Sequence, residues 1–264
     1  MNKFKVFLIV VILNSMICAE ELEVGFGFLN MNYVETGQDG EFLNSEKSGF
    51  TKINGFNLVY KDTIGKLDSE DMSIYSLSIG FRKLSGESDY DGYLQDSNGN
   101  KVSPHQSTTT NEITETKLKL EHTFYSSSFD YSFFTSLANR EWTRDMEKPY
   151  GYKEIYSWDY VEVGSKGIYY NGHWEFGLEA TVQKAMNPTM KAYLSKVLTF
   201  DLGTTMGYNF KIPVGYNIDK KLKIELEYEY DMWEIGKSNV VEGYYEPDST
   251  TKNKIINLNI AYKF

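Results

Sequence analysis

The segment KLKIELEYEYDMWEI, residues 221–235, decides the fold. Leu222, Ile224, Leu226, Tyr228, Tyr230 and Met232 occupy its even positions; Lys223, Glu225, Glu227, Glu229 and Asp231 occupy the odd ones. A helix would smear these two sets around its axis. A strand turns successive side chains to opposite faces, so period two separates them into one oily face and one charged face.

The preceding stretch, FDLGTTMGYNFKIPVGYNI (200–218), behaves alike. Phe200, Leu202, Met206, Tyr208, Phe210, Ile212, Val214 and Tyr216 alternate with Asp201, Asn209, Lys211, Asn217 and three glycines. The final ten residues, IINLNIAYKF, place Ile256, Leu258, Ile260, Tyr262 and Phe264 on one face. Ten such segments are expected, near 22–34, 50–61, 72–83, 113–124, 129–142, 153–164, 171–183, 201–217, 221–236 and 254–264. In the sixth, Tyr156, Trp158 and Tyr160 share one face while Val161 and Val163 share the other, which predicts a bulge.

Composition agrees with strands: aromatic residues are 16% of the chain, with 21 Tyr and only 5 Pro. Lys3 and Lys5, an apolar run from Val6 to Leu13, a polar break and Ala19 have the layout of a secretory signal over residues 1–19. Cys18 leaves open a lipoprotein alternative, against which the bulky Ile17 argues. Without the signal, two of the 27 basic residues go and 25 face 37 acids, a net charge of −12. An exported acidic chain is a poor nucleic-acid binder. It also lacks the one cysteine, so disulfide and thiol chemistry are excluded. No later stretch is long and apolar enough for a membrane helix.

The connections alternate. Segments 35–49, 84–112, 143–152, 184–200 and 237–253 are long, whereas DTIGKLDSED, YSSS, SKGIYY and NIDK are shorter. That rhythm belongs to up-and-down barrels in an outer membrane, with short periplasmic turns and long external loops. An even strand count puts both termini in the periplasm. A soluble sandwich also alternates, but in lipid only a closed barrel satisfies every backbone group of its strands. The fold expected is all-β: a ten-stranded antiparallel up-and-down transmembrane β-barrel over residues 20–264.

The signal, the strand pattern and the ending IAYKF together resemble the Gram-negative outer-membrane β-barrels. That resemblance implies an environment of outer-membrane lipid and lipopolysaccharide. It also implies recognition of the strand ending at Phe264 by the barrel-assembly machinery. It does not name an activity.

If the apolar face meets lipid, parity gives the residues lining the lumen. The first half contributes Lys61, Arg82, Lys117, Lys119, Glu121 and Arg140; the second contributes Glu175, Glu179, Lys211, Glu225, Glu227, Glu229, Asp231 and Lys263. A basic wall then faces an acidic one. Such a lumen is either a narrow channel preferring small cations or a salt-bridged filling. Ten strands lie near the filled end of the range of barrel sizes. No cofactor is implied. The function expected is a porin-like or structural envelope protein; the alternative is a surface protein, adhesin or hydrolase, acting through loops such as VVEGYYEPDST.

Three local features stay open. In KAMNPTMKAYLSKVLTF (184–200), Asn187 and Pro188 could start a helix, or Met190, Ala192, Leu194, Leu198 and Phe200 could continue the neighbouring strand's even register. The acids Glu87, Asp89, Asp91 and Asp96 suggest calcium, but D-S-N-G-N misplaces the glycine for an EF-hand loop, and a hairpin turn at Asn98-Gly99 explains the same residues. The omptin proteases are ten-stranded outer-membrane barrels that carry aspartates and an Asp-x-His pair at the external rim. Here His105 lies in SPHQS with no Asp two residues before it, and His122 and His173 fall towards periplasmic ends. Tyr60, Phe81, Trp142, Trp158, Trp174 and Trp233 are expected to form aromatic girdles at the membrane surfaces.

Overall fold

A computed structural model describes residues 20–37, 40–64, 73–95 and 101–264. The expected signal over 1–19 and the expected turn at Asn98-Gly99 lie outside the described residues.

Among the described residues thirteen strands form one sheet: β1 (Glu21–Asn30), β2 (Asn32–Thr36), β3 (Phe42–Lys47), β4 (Ile53–Ile64), β5 (Ser73–Gln95), β6 (Lys101–Phe124), β7 (Phe129–Met146), β8 (Lys153–Asn171), β9 (Trp174–Tyr193), β10 (Val197–Asp201), β11 (Thr205–Asn217), β12 (Leu222–Ile235) and β13 (Asp248–Lys263). Ten of them close a ring in the order β1–β4–β5–β6–β7–β8–β9–β11–β12–β13, every neighbour antiparallel. The ring shuts where β1 pairs with β13, Glu21 opposite Lys263 and Asn30 opposite Lys254. Closure leaves no edge along this span, which is what a spanning sheet in lipid requires. The short strands β2, β3 and β10 extend the wall at the end remote from the termini, here the far end.

At the terminal end the β8–β9 and β11–β12 turns are tight. Asn171 pairs with Trp174 around Gly172-His173, and Gly172 takes φ +63. A glycine first in a two-residue turn is what a type II′ hairpin needs. Asp219 accepts from the backbone N–H groups of Lys221 and Leu222 at 2.7 and 2.9 Å, securing the β11–β12 turn.

The outer face carries a continuous apolar belt. On β7 the exposed residues Phe129, Tyr131, Phe133 and Leu137 belong to it; on β12, Ile224 and Leu226; on β13, Leu258, Ile260 and Tyr262; on β1, Val24, Phe26 and Phe28. From Phe129 to Leu137 is the length a tilted strand needs to cross hydrocarbon. Beyond the belt the same face turns polar: Glu141, Thr143 and Asp145 follow on β7, and Lys254 and Lys252 on β13.

The inner face does the reverse. It is charged within the belt and apolar above it, where Leu29, Ile53, Leu84, Ile113, Trp142, Tyr156, Trp158, Trp233, Ile235 and Ile255 form a buried core inside the barrel. Past the hydrocarbon the outside is water, so apolar side chains gain only by turning inward. This corrects the girdle expectation. Trp142, Trp158 and Trp233 are 2%, 2% and 1% exposed and lie in this core, whereas Trp174 stays outside.

The two readings left open for 184–200 resolve as strand: β9 runs to Tyr193 and β10, from Val197, folds back on it. The irregularity expected within the sixth segment is present. β8 pairs with β7 without a break, and the shift is against β9, between Ser157 and Asp159. Opposite it sits Asn187 at φ 48. The one extra residue on β9 there inverts parity, so Met190 and Ala192 enter the core although Val182 and Met186 on the same strand face outward. The segment 84–112, expected as a loop, is mostly the extended β5–β6 hairpin, and SKGIYY belongs to β8.

Candidate functional site

The inner face can be followed upward from the terminal end. A cavity of about 350 Å³ lies there, walled by charged and hydroxyl side chains of β1, β4–β9, β11, β12 and β13. Within it Lys119 meets Glu121 at 2.8 Å and Glu179 at 3.6 Å, Lys61 meets Glu121 at 3.8 Å, and Lys263 meets Glu21 at 3.9 Å. Lys223 lies 2.9 Å from Glu225 and 3.5 Å from Glu175. The Tyr170 hydroxyl donates to Asp130 at 2.6 Å.

A denser layer closes the cavity from above. Arg82 on β5 reaches across to Glu229 on β12, donating at 3.0 and 2.6 Å. Asn209 and Asn257 add bonds to the same carboxylate at 2.7 and 3.4 Å. Lys211 stands 3.5 Å from Glu227 and 3.7 Å from Glu229. Lys117 holds Glu162 at 3.0 Å, with Ser136 and Gln183 donating to that carboxylate as well. Arg140 links Glu115 at 3.2 Å and Asp231 at 3.3 Å. Carboxylates so surrounded have their lone pairs satisfied, the condition under which buried ion pairs are tolerated.

The fourteen charged residues singled out by parity are drawn together in these contacts, and the basic set meets the acidic set directly. Glu115, Glu162 and Lys223 belong to the same network, and Lys166 lines the cavity beside it. Glu115 shares its parity with Lys117 and was open to the same reading. Glu162 shares a face with Tyr156, Trp158 and Tyr160, which masked it.

Aromatic rings cover the ion layer. Trp233 packs against Trp158 and Tyr160 with ring centroids 5.1 and 5.2 Å apart, and the Arg140 guanidinium lies 5.7 Å from the Trp233 ring. Above these, the apolar core fills the barrel.

The far end holds a second charged group, beyond the belt. Arg144 donates to Glu46 at 2.6 Å, to Glu154 at 2.6 Å and to Glu35 at 3.3 Å, and its guanidinium lies over the Tyr33 ring. Ser88 and Thr109 also donate to Glu46. The connection between β12 and β13 folds inward over this group: Ser238 and Glu246 are buried and bonded to each other through backbone and hydroxyl. Tyr156 donates its hydroxyl to Glu246 at 2.5 Å. Burial, reinforced by the nearby carboxylates of Glu154 and Glu35, pushes the Glu246 carboxyl well above the usual range. Burial also raises Glu154, against the opposing pull of Arg144.

His105 packs between the rings of Tyr90 and Tyr150, at centroid distances of 6.2 and 5.7 Å. Among the described residues, no three His, Cys, Asp or Glu side chains are arranged to hold a metal ion.

No known protein family matches the sequence, and no curated relative does. Solved structures do. The chain is similar to the outer membrane protease OmpT from Escherichia coli, with a TM-score of 0.58 at 12% identity over 92% of this chain and 96% of that one. It also matches the transport unit of the autotransporter AIDA-I from Escherichia coli (TM-score 0.45, 12% identity, 92% and 90% of the two chains). The translocator domain of the autotransporter NalP from Neisseria meningitidis matches at TM-score 0.43 and 9% identity over 100% of both chains. At such identities the likeness is one of fold. The fold is that of the Gram-negative outer-membrane β-barrels.

Proposed function

We propose that this chain is an outer-membrane barrel sealed to solutes, a structural envelope protein that meets its surroundings through its far end. In this reading the termini are periplasmic and the far end, with the β5–β6 hairpin, is external. Lipid and lipopolysaccharide surround the belt, and the strand ending at Phe264 is the one presented to the assembly machinery.

One observation carries the reading: the layer of Arg82–Glu229, Lys117–Glu162 and Arg140–Asp231 lies directly beneath the packed rings of Trp158, Tyr160 and Trp233. A permeant cation would have to break paired charges and then cross an apolar core, and neither layer offers it ligands. The charged residues therefore act as an ion-paired filling. His105 between two tyrosines favours recognition over hydrolysis at the external end.

Single-channel recording in planar bilayers tests this. Protein shown to be folded by its heat-dependent mobility in SDS is expected to give no unitary current. Reproducible cation-selective steps, lost in Glu227→Lys, would overturn the sealed reading in favour of a pore.

A further inference from the structure

The cavity at the terminal end has an unusual charge balance. Nearly every ionised side chain in its wall has an opposite charge within 4 Å or, for Asp130, the Tyr170 hydroxyl. Two groups stand apart: among the described residues, neither the carboxylate of Glu23 nor the ammonium of Lys166 has an ion-pair partner within that distance, and both line the cavity. They belong to β1 and β8. Around the ten-strand ring these strands are five steps apart in either direction, so the two groups lie on diametrically opposite walls.

The surroundings of each sharpen the contrast. The charges acting on Glu23 are mostly acidic, those of Glu225, Glu227 and Glu21 against Lys223 alone. Lys166 acts on Glu121, Glu179 and Glu225 without coming within ion-pair distance of any of them, and on Lys61, which stands on β4 beside β1. One wall thus offers a spare carboxylate in an acidic setting, and the opposite wall an ammonium without an ion-pair partner. Between them, Ser76, Ser78, Thr123 and Ser132 supply hydroxyl groups. A volume near 350 Å³ is of the size that takes a small molecule. Solvent reaches it, because the side chains of Lys61 and Lys263 are 41% and 55% exposed.

We propose that this cavity is a binding site for a small zwitterion, its ammonium group held by Glu23 and its anionic group by Lys166. A ligand with both charges satisfies both walls at once, whereas a simple anion or cation leaves one of them unpaired. Because the ion layer closes the cavity above, the ligand enters and leaves from the terminal side. The free amino acid or peptide type and the phosphoethanolamine headgroup type share this chemistry.

Titration of the refolded barrel in octyl glucoside micelles, followed by amide chemical shifts of Gly80 and Ile168 in the cavity wall, tests the assignment. The probes are glycylglycine, glycerophosphoethanolamine, sodium acetate and methylammonium chloride. Saturable shifts are expected with one or both zwitterions, at concentrations about tenfold or more below those needed for acetate or methylammonium, as the loss of one charge-assisted contact implies. The zwitterion that saturates first identifies the source. Lys166→Met and Glu23→Gln should each raise the half-saturation about tenfold. These substitutions sit on opposite walls, so either one reads the site if the other fails to fold. No saturable shift with either zwitterion, equal binding of acetate or methylammonium, or unchanged titrations in a folded variant would overturn the proposal. None of these results depends on whether the barrel conducts.

Discussion

Arg82 and Glu229, 147 positions apart in sequence, form a two-pronged ion pair across the barrel, with the guanidinium 3.0 and 2.6 Å from the carboxylate oxygens. This pair joins β5 to β12 through the interior rather than along the wall. Glu229 is nearly inaccessible, so removing its partner strands a charge beside Glu227. Arg82→Met should lower stability by about 3–5 kcal/mol. The double variant with Glu229→Met should recover most of that loss. Urea unfolding in lipid vesicles measures both; a single variant as stable as the parent would show that solvent screens the pair.

The seam between first and last strands depends on the absence of a side chain. Asn57 on β4 donates to Asn259 on β13 at 3.2 Å, passing over Gly25 on β1. A Cβ at Gly25 would fall 2.0 Å from Asn259 Oδ1, an atom that can swing aside. A Cβ at Gly55 would fall 1.9 Å from the backbone oxygen of Lys83, which cannot. Gly25→Ala should therefore cost about one hydrogen bond, roughly 1 kcal/mol, and Gly55→Ala clearly more. The temperature at which the compact SDS band disappears ranks them; the reverse order would refute the account of the seam.

The inward-folded connection 236–247 should respond to pH through Glu246. Its carboxyl is raised by burial, with Glu154, Glu35, Tyr156 and Arg144 as its charged and titratable neighbours. A raised acid favours the closed form while it is protonated, and that contribution disappears as the pH climbs through its value in the closed form. Amide exchange within 236–247 should thus be slow in acid, after allowing for the intrinsic pH dependence, and speed up towards alkaline pH. Glu246→Gln should abolish the pH response. Persistence of the response in that variant would place the titrating group elsewhere.

Placement of hydrocarbon is tested by charge on the belt. Leu226 is exposed in mid-belt and Tyr262 near the terminal rim. Leu226→Arg should cost about 2–4 kcal/mol and Tyr262→Arg about 0–1, because the penalty fades towards the interface. Equal costs in vesicle refolding would contradict the belt.

The parity of KLKIELEYEYDMWEI carried the reading of the lower barrel because one solvent, lipid, covers the whole outer face of that stretch. It misled at Trp142, Trp158 and Trp233. Apolar residues there were matched to lipid, yet these positions lie above the belt, where the outside is water and the interior is dry. On β8 the boundary falls between Tyr160, which points in, and Val163, which points out. A sequence records both as apolar and records nothing of where the bilayer stops. Asn187 hid a second reversal, since one residue added opposite Ser157–Asp159 swaps the faces of those that follow without changing composition. The far-end cluster around Arg144 was illegible for a different reason: Glu35, Glu46, Glu154 and Glu246 come from four separate elements, and only their assembly makes them neighbours.

The reversal of polarity along each strand also fixes the protein's depth in the bilayer. Sinking by one residue pair would drag the ammonium of Lys254 into hydrocarbon, and rising by one would lift Leu258 and its neighbours towards the aqueous boundary. Both displacements are penalised, so the barrel floats at a preset height and bilayers of unequal thickness must deform around it.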